Sequence, residues 1–434
     1  MEIQVRKTET ISGTVTSPSS KSHTVRALLL ATMASGTSAL LNALASDDTD
    51  QAVGVCRDLG ATVKVYAQSN HRIDIEVESN GLPLRPASKT VFTGDSGITT
   101  RFVLPMLGLR TGLDPIQFDC GPQMRQRPIT PLVDALGTLG MRVTAAPDHH
   151  GWPFFCEGPL KGGSARVDGI TSQFCSALLL SLPCAPEDSV ITVENLHERP
   201  YVAMTTRWLD EQAIRYQWQS QGGRDVFHIS GGQRYRSFEK SIPGDFSSAS
   251  YLIAAGVLRG GEVVLNGLDM NDAQGDKRFI SILQEMGADI SVNQEGIIVR
   301  GGRSLNSMTI DCNDIPDLVP TLAVIATQAE DTTHLVNVAQ ARLKETDRLR
   351  SMRTELAKMG ADITEEPDSL TIRQSSLSGA QLHGYHDHRT IMALSIAGLC
   401  AQGGTIITTA EGINKTFPNF VSMMQSLGAR INLV

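Results

Sequence analysis

The feature that most constrains the fold is a short pattern that recurs along the whole chain. Each copy combines the end of an amphipathic helix, a glycine suited to the left-handed conformation that terminates helices, and an alternating strand. The clear copies are RDLGATVKV (57–65), GTLGMRVTA (137–145), QEMGADISV (284–292), AKMGADITE (357–365) and QSLGARINL (425–433). A degenerate copy, DEQAIRYQW, has Ala213 in place of the glycine, and the steps between copies are then 68 to 80 residues. The pattern predicts six repeats of about 72 residues each.

Each repeat also begins alike, with a turn rich in small or polar residues before an apolar helix. The six openings are SPSSKSHTVRALLLA (17–31), TGDSGITTRFVLP (93–105), DGITSQFCSALLL (168–180), PGDFSSASYLIAA (243–255), NDIPDLVPTLAVIA (313–326) and HDHRTIMALSIAG (386–398). A helix that is apolar on nearly all sides is buried, and the β-branched runs that follow glycine turns, such as GGTIITT, indicate strands. Each repeat is therefore predicted to mix helix and strand.

A repeat of this length does not suit an open solenoid, whose units typically run about 20–45 residues. A chain of 434 residues also exceeds one ordinary core, so three repeats in each of two globular domains fit better. The turn SIPGDFSS near residue 240 starts the fourth repeat and is the best internal boundary. The first strand of the chain could pair with either half.

Composition and charge exclude several classes of function. The net charge of −8 argues against nonspecific nucleic-acid binding, and no segment approaches the ~20 apolar residues of a membrane-spanning helix. The first ten residues, MEIQVRKTET, lack the apolar core of a signal peptide. Seven scattered cysteines without a CxxC pair indicate free thiols in a reducing compartment, not disulfides or zinc ligands. We therefore expect a cytoplasmic protein that binds neither nucleic acid nor membrane.

The six helix openings are candidate sites for phosphate or carboxylate, because a helix N-terminus presents free N–H groups and a partial positive charge. Taken singly, Ser19–Ser20, Thr171–Ser172 and Ser247–Ser248 are typical of ordinary N-caps. Cations at related places favour anion binding, since Arg grips carboxylate or phosphate bidentately and Lys supplies a point charge. These cations are Lys21, Arg26, Arg101, Arg125, Arg127, Arg389 and Lys415. A pocket for two anionic substrates follows as a hypothesis.

The most charge-dense segment is ARLKETDRLRSM (341–352), in a chain that is only 19% charged. Thr346 is predicted to cap a helix whose first turn holds Asp347 and Arg348. Arg350, further along this helix, is expected to face solvent. Part of this segment is therefore predicted to form an ordinary helix, and its remaining charged residues are predicted to take part in catalysis or binding.

Other motifs give weaker signals. His386 and His388 in HDHR are two residues apart and face apart on a helix, so they do not predict a metal site. His149-His150 lies in a polar stretch and is predicted to be a loop. The chain has no Walker loop, GxGxxG or GxSxG motif. Cys120 precedes a Gly-Pro turn, where a nucleophilic role is open but not favoured.

The residues at these turns resemble those of the EPSP synthase family (5-enolpyruvylshikimate-3-phosphate synthase) over essentially the full length of the chain. Together the motifs are highly specific, and KETDR in register with the others is nearly diagnostic. The motifs that carry the resemblance are SSKS…R (19–26), GDSGITTR (94–101), MRQRPITPL (124–132), TSQFCSALLL (171–180), RPYVAMT (199–205), GDFSSASY (244–251), IPD (315–317), RLKETDR (342–348), DHR (387–389) and KTFPN (415–419).

The resemblance implies an α/β fold, a two-domain inverse α/β barrel built from six βαβαββ-like units. Three units would form a domain over residues 20–240, and three a domain over residues 1–19 plus 241–434. The implied reaction transfers the enolpyruvyl group of phosphoenolpyruvate to the 5-hydroxyl of shikimate 3-phosphate, by addition and elimination through a tetrahedral intermediate. The resemblance also implies that the enzyme is a monomer and needs no cofactor and no metal.

The same resemblance assigns roles to residues one by one. Contacts with phosphoenolpyruvate are implied for Lys21, Gly97, Arg127, Gln173, Arg348, Arg389 and Lys415. Contacts with shikimate 3-phosphate are implied for Lys21, Ser22, Arg26, Thr171, Ser172, Gln173, Tyr201, Asp317, Gln340 and Lys344. Asp317 is the expected base and Glu345 the expected proton-transfer carboxylate, and Lys21 can share that task.

Four departures from the family's pattern bear on these expectations. They are Ser19 for a glycine, Ile98 for a threonine with Phe102 for a proline, Glu198 for a serine, and Gln340 for an asparagine. The changes at 98 and 102 predict a tilted helix and reduced sensitivity to glyphosate, which overlaps the phosphoenolpyruvate site in this family. The carboxylate of Glu198, near the expected acceptor phosphate, would repel it unless the side chain turns away or pairs with Arg199.

Two other interpretations stay open at this point. A UDP-N-acetylglucosamine enolpyruvyl transferase would share the fold and the donor, but four residues separate its loop cysteine from the Arg-Pro pair. Here six residues separate Cys120 from Arg127, and the KETDR block fits that enzyme poorly. A non-catalytic binding protein with the same repeats would be favoured by Glu198, and it predicts ligand binding without turnover.

Overall fold

The structure, a computed structural model, describes residues 1–68, 71–112, 114–146 and 151–434. His149 and His150, which were predicted to form a loop, lie outside the described residues. The chain divides into two compact units, and each has its own hydrophobic core. The N-terminal unit is Ser20–Ile242, and the C-terminal unit is Met1–Ser19 together with Pro243–Val434.

The described strands are numbered β1 to β24 in chain order. They are Glu2–Arg6, Gly13–Thr16, Ser35–Leu44, Thr62–Ala67, Arg72–Asn80, Thr90–Phe92, Ile116–Asp119, Arg142–Ala145, Phe154–Glu157, Gly163–Asp168, Ser189–Glu194, Tyr216–Gln221, Arg224–Ile229, Glu239–Ser241, Glu262–Asn266, Asp289–Asn293, Gly296–Arg300, Thr309–Asp311, Thr332–Val336, Asp362–Glu366, Ser369–Arg373, Gln381–His383, Gly404–Thr408 and Ile431–Leu433.

The described α-helices are numbered α1 to α13 in the same way. They are Lys21–Met33, Asp47–Asp58, Gly97–Met106, Pro122–Arg125, Thr130–Thr138, Ser172–Ser181, Arg199–Glu211, Phe246–Leu258, Arg278–Glu285, Val319–Gln328, Arg348–Lys358, His388–Cys400 and Phe420–Ser426. Short 3-10 helices are Leu107–Leu109, Leu182–Cys184, Gly275–Lys277, Pro316–Leu318, Ala339–Leu343 and Ala410–Lys415. None of these helices, over the residues that the structure describes, is long and apolar enough to cross a membrane.

The described strands form three four-stranded sheets in each unit, and all six sheets follow one plan. One edge strand pairs in parallel with its neighbour, and the two other pairings are antiparallel. In the second repeat, for example, β6 is parallel to β7, while β7 and β8 each lie antiparallel to β9. The chain there runs strand, helix, strand, two consecutive helices, strand, strand. The six-repeat α/β fold predicted from the sequence is therefore confirmed.

Three sheets are completed by a strand from a distant part of the chain. β14 pairs with β3 in the first repeat, β2 with β15 in the fourth, and β1 with both β23 and β24 in the sixth. The sequence left the partner of β1 open. The structure places β1 in the C-terminal unit, because its alternating residues Ile3 and Val5 enter that core with 0% and 1% exposure.

The glycines that were predicted to terminate helices do so. Positive φ values between 93° and 101° are found at Gly60, Gly140, Gly287, Gly360 and Gly428. Ala213, which takes the glycine's place in the third repeat, also has a left-handed backbone with φ 54°. The helix-to-strand connection thus requires this conformation in every repeat, which is why glycine recurs there.

The first helix of each repeat is buried, as its apolar sequence predicts. In α1 every residue from His23 to Met33 is buried, and in α12 every residue from His388 to Leu399. The second helices are amphipathic, and in α11 the buried stripe includes Leu349, Met352 and Leu356. Because the first helices are buried to their first turns, the polar residues at their N-termini are held in fixed positions.

Candidate active site

In the C-terminal unit, Arg348 is the centre of a cluster of acidic residues. It is the first residue of α11, and its side chain is 1% exposed. Its Nη1 donates to Asp317 Oδ1 at 2.6 Å, its Nη2 to Glu345 Oε2 at 2.8 Å and its Nε to Asp387 Oδ2 at 2.8 Å. One buried guanidinium therefore joins three carboxylates, two of which the sequence predicted to carry proton transfer.

Asp317 is held by a second arginine as well. It lies in the 3-10 helix Pro316–Leu318, and its Oδ2 accepts a hydrogen bond from Arg389 Nη2 at 2.6 Å. Burial opposes ionisation of this carboxyl, but the charges of Arg389, Arg348 and Lys344 outweigh it and hold the pKa of Asp317 well below its usual range. The predicted base is thus an ionised carboxylate gripped by two guanidinium groups.

Asp387 is a member of this cluster that sequence reasoning did not single out. It is the N-cap of α12, is fully buried, and accepts a hydrogen bond from the backbone N–H of Arg389 at 2.9 Å. Burial disfavours the charge of Arg348, but Asp387, Asp317 and Glu345 outweigh that effect and raise its pKa. The signal that could have found Asp387 is its place as an acidic cap immediately before His388-Arg389.

Asp276 is a second buried acid that the sequence did not reveal. It lies in the 3-10 helix Gly275–Lys277 and accepts a hydrogen bond from the hydroxyl of Ser247, a residue of α8. Burial, together with the nearby charge of Asp317, raises the pKa of Asp276 to about 7. The charge of Asp276 is therefore linked electrostatically to that of the predicted base. Nothing in the local sequence QGDKR distinguishes this aspartate.

The other predicted residues of this unit lie around the cluster. Gln340 is 3% exposed and donates from Nε2 to the carbonyl of Asn313 at 2.9 Å. Lys344 is close enough to Asp317 to lower its pKa. Lys415 ends the 3-10 helix Ala410–Lys415, which packs against α12. Gln340 and Lys415 are therefore held by neighbouring parts of the unit, and Lys344 interacts electrostatically with Asp317.

The start of α11 differs by one residue from the prediction. Asp347, not Thr346, is the N-cap, and its Oδ1 accepts from the backbone N–H of Arg350 at 3.0 Å. Both carboxylate oxygens of Asp347 also accept from Arg342 Nη1, at 3.0 and 2.8 Å. A carboxylate that caps the helix and binds a neighbouring guanidinium holds this position better than a hydroxyl could. The side chain of Arg350 is 73% exposed, as expected.

In the N-terminal unit, α1 carries three of the predicted residues in its first two turns. Lys21 Nζ lies 3.1 Å from Oδ2 of the buried Asp48, which belongs to the first turn of α2. Arg26 is buried, and its guanidinium donates to the carbonyl oxygens of Ser22 and Tyr201 at 3.0 and 3.1 Å. Burial lowers the pKa of Arg26 to about 9, which leaves it charged at neutral pH. Ser22, Arg26 and Tyr201 are thus brought together where α1 meets α7.

Gly97 and Arg127 are in direct contact. Gly97 is the first residue of α3, and a Cβ added there would lie 2.4 Å from Arg127 Nη1, so any side chain at this position would force the buried guanidinium to shift. Ile98 and Phe102, the departures in the same helix, are also buried. The guanidinium of Arg26 lies over the Phe102 ring, 5.0 Å from its centroid.

Arg101 holds Gln173 in place. Its Nη1 donates to Gln173 Oε1 at 2.7 Å, and its Nη2 donates to the carbonyl of Pro128 at 2.8 Å. The guanidinium also lies over the Phe174 ring at 5.3 Å. Since Pro128 directly follows Arg127, Arg101 positions both Gln173 and the loop that carries Arg127.

Glu198 contacts a residue that the sequence analysis did not suggest as its partner. Thr171 is the N-cap of α6, and the first residue of that helix, Ser172, donates from its backbone N–H and its hydroxyl to Glu198 Oε2, at 3.2 and 2.7 Å. The carboxylate therefore turns inward, towards the start of α6. Arg199 donates to Asp225 in β13. The sequence did not predict the contact between Glu198 and Ser172.

The cysteines have the character of buried structural thiols. All seven are free, and six of them are buried. Burial raises the pKa of Cys120 to about 12, so at neutral pH it is not a thiolate. Across the described stretches of the chain, no group of three or more His, Cys, Asp or Glu side chains is placed to hold a metal ion.

Comparison with known proteins identifies the family. The family model described as EPSP synthase (3-phosphoshikimate 1-carboxyvinyltransferase) matches residues 5–424. The chain belongs to the EPSP synthase family. A 3-phosphoshikimate 1-carboxyvinyltransferase of Ruminiclostridium cellulolyticum is 42% identical over 434 residues, with 100% of both chains covered. The enzyme of the same name from Methanocaldococcus jannaschii is 39% identical, with 99% of both chains covered.

Solved structures share the fold of this chain. The EPSP synthase of Acinetobacter baumannii superposes with a TM-score of 0.81 at 24% identity, over 99% of each chain. The enolpyruvyl transferase NikO from Streptomyces tendae superposes with a TM-score of 0.77 at 16% identity, over 99% and 98% of the two chains. At these identities the likeness shows the shared fold.

Proposed function

We propose that this chain transfers the enolpyruvyl group of phosphoenolpyruvate to the 5-hydroxyl of shikimate 3-phosphate and releases phosphate. Membership of the EPSP synthase family supports the reaction. The observation that carries the proposal is the cluster in which Arg348 bonds Asp317 at 2.6 Å and Glu345 at 2.8 Å. This cluster brings together two carboxylates suited to proton transfer and a cation suited to an anionic substrate.

The reaction requires two opposite proton movements in each of its steps. In the addition, the acceptor hydroxyl loses a proton while the methylene carbon of phosphoenolpyruvate gains one, and a carbon–oxygen bond forms. In the elimination, the new methyl group loses a proton and the departing phosphate gains one as the carbon–oxygen bond to phosphate breaks. We assign Asp317 to the hydroxyl and Glu345 to the carbon, because the two carboxylates lie on opposite nitrogens of one guanidinium. Lys21 is assigned as a further proton-transfer group.

Both substrates are anions, so binding falls to the cations and to the polar helix openings. For phosphoenolpyruvate we propose Lys21, Gly97, Arg127, Gln173, Arg348, Arg389 and Lys415. For shikimate 3-phosphate we propose Lys21, Ser22, Arg26, Thr171, Ser172, Gln173, Tyr201, Asp317, Gln340 and Lys344. Fixed cations stabilise charge that develops as phosphate leaves, at no cost of reorganisation during the reaction. The proposed reaction needs no cofactor and no metal. That the protein is a monomer stays a prediction.

One measurement tests the proposed function against both alternatives. The purified protein is given phosphoenolpyruvate with shikimate 3-phosphate, or with UDP-N-acetylglucosamine, and released phosphate is measured. We expect phosphate release from phosphoenolpyruvate only when shikimate 3-phosphate is the acceptor. Release with the nucleotide sugar would assign the chain to the other transferase. Binding of shikimate 3-phosphate without any phosphate release would favour a non-catalytic protein.

Gly97→Ala is expected to raise the KM for phosphoenolpyruvate about tenfold, a change of ~1.4 kcal/mol. The new Cβ would lie 2.4 Å from Arg127 Nη1 and 2.9 Å from its Cζ, so the buried guanidinium must move away from its binding position. Steady-state kinetics measure the effect. The control is Gly54→Ala in α2, where an added Cβ meets nothing within 4 Å. If Gly97→Ala and Gly54→Ala have the same KM for phosphoenolpyruvate, Arg127 does not contribute to the binding of the donor.

Cys120→Ser is expected to change kcat by less than about twofold. Burial raises the pKa of this thiol to about 12, so it supplies neither a thiolate nor an acid at neutral pH. Phosphate release at saturating substrates measures the effect. A loss of more than about a hundredfold, the size of a general acid–base contribution, would favour the transferase that uses a loop cysteine.

A further inference from the structure

The side chain of Glu198 is an internal anion at the start of α6. It is 1% exposed, and its Oε2 accepts from the backbone N–H of Ser172 at 3.2 Å and from its hydroxyl at 2.7 Å. The backbone of Glu198 is left-handed, with φ 56° and ψ 41°. A residue other than glycine keeps this conformation only where its surroundings hold it. The inward direction of the carboxylate is therefore a built feature.

In this arrangement both hydrogen-bond donors of Ser172 are bonded to Glu198. A serine has one hydroxyl hydrogen and one backbone N–H, and both are directed at the same carboxylate oxygen. The N-terminus of α6 also carries the partial positive charge of the helix, which Glu198 neutralises. An anionic group of a substrate that binds at Ser172 needs the same two hydrogen-bond donors. Those donors are already bonded to the Glu198 carboxylate.

We propose that Glu198 is a specificity-determining residue that competes with the phosphate of the acceptor for Ser172. The inference rests on the proposed function, in which Ser172 contacts shikimate 3-phosphate. Binding of the phosphorylated acceptor displaces the carboxylate from Ser172 and brings two negative groups close together. The affinity for shikimate 3-phosphate is consequently lower than the cations of this unit would otherwise provide, while the unphosphorylated ring carries no such penalty.

Glu198→Gln tests the competition directly, because the amide oxygen can still accept from Ser172 while the charge is removed. We expect the KM for shikimate 3-phosphate to fall about tenfold, with the KM for phosphoenolpyruvate and kcat within twofold. The ratio of kcat/KM for shikimate 3-phosphate to that for shikimate should rise by the same factor. Two like charges in a partly buried site interact strongly enough for a change of this size. A residue with only a structural role would not alter this ratio.

Glu198→Gly provides a second variant that removes the charge and suits the left-handed backbone, so it should fold. We expect the same fall in KM for shikimate 3-phosphate. The matched control is Glu194→Gln, four residues earlier in β11, where the exposed carboxylate pairs with Arg224 at 3.4 Å. This control removes the same charge from the same unit and should change neither KM.

Equilibrium binding of shikimate 3-phosphate and of shikimate, measured by calorimetry without phosphoenolpyruvate, separates this inference from the proposed function. Tighter binding of the phosphate in both Glu198 variants, with shikimate unchanged, supports the competition even if the wild-type protein releases no phosphate. Unchanged or weaker binding of shikimate 3-phosphate in both variants overturns it, even if the wild-type protein turns over normally.

Discussion

Asp317→Ala is expected to lower kcat by about three orders of magnitude, within the range of a general acid–base contribution. The carboxylate that would take the proton of the acceptor hydroxyl is removed, while the shape of the backbone is kept. Phosphate release at saturating phosphoenolpyruvate and shikimate 3-phosphate measures the loss. The KM for each substrate should change much less than kcat, because the assigned cations are still present.

The matched control is Asp311→Asn, six residues earlier in the chain. Asp311 is an exposed residue of β18 that accepts a hydrogen bond from Asn337 at 2.9 Å. We expect kcat within about twofold of the wild type for this variant. A fully active Asp317→Ala protein would contradict the assignment of Asp317 as the base.

The depressed pKa of Asp317 raises a question about its use as a base, because a carboxylate held far below its usual pKa is weakly basic. Burial alone would raise the pKa, and it is Arg389, Arg348 and Lys344 that lower it in the ligand-free protein. A phosphate or carboxylate of the donor that binds these arginines shares their positive charge. Under the proposed assignment, the pKa of Asp317 would then rise, and binding of the donor would make the base stronger.

The repeated fold was predictable because its main signals are local. A helix that must turn into a strand within two residues needs a left-handed residue, and glycine supplies it at Gly60, Gly140 and Gly287 with φ values of 98° to 101°. Burial of the first helices likewise follows from their own sequences. These requirements act within about ten residues, which is the range over which pattern reasoning works.

The parts that could not be predicted depend on contacts between distant residues. Arg348 and Asp387 are 39 residues apart, and their pairing arises only when α11 packs beside α12. Glu198 looked like an ill-placed charge because its left-handed backbone, which directs it to Ser172, leaves no trace in the sequence. The pKa of Asp276 depends on burial beside Asp317. The sequence therefore did not reveal how these distant residues are paired.

Arg348→Met is expected to lower the free energy of unfolding of the C-terminal unit by about 3–5 kcal/mol, the usual effect of removing one partner from a buried ion pair. The guanidinium is 1% exposed and bonds Asp317, Glu345 and Asp387. Without it, three carboxylates remain close together in a buried place. The control is Arg350→Met, two residues along the same helix and 73% exposed, which should stay within about 0.5 kcal/mol of the wild type.

The pH dependence of the same variant follows from the pKa of Asp317. With Arg348 present this pKa is held below its usual range, so the stabilisation exists above the unfolded pKa of about 3.9 and is lost as the pH falls through the folded value. In Arg348→Met the folded pKa rises. The destabilisation should therefore be largest at neutral pH and shrink as the medium becomes acidic, because a protonated carboxyl needs no cation.

The distribution of tryptophan allows the two units to be followed separately in this experiment. The three tryptophans, Trp152, Trp208 and Trp218, all lie in the N-terminal unit, so their fluorescence during denaturation reports that unit. Far-UV circular dichroism reports the helices of both units, including α11. A loss of stability that shows in the dichroism transition at pH 7 and becomes smaller below about pH 4 would establish Arg348 as the charge that holds the acids together. If Arg348→Met unfolds at the same denaturant concentration as Arg350→Met, the three carboxylates do not depend on this arginine.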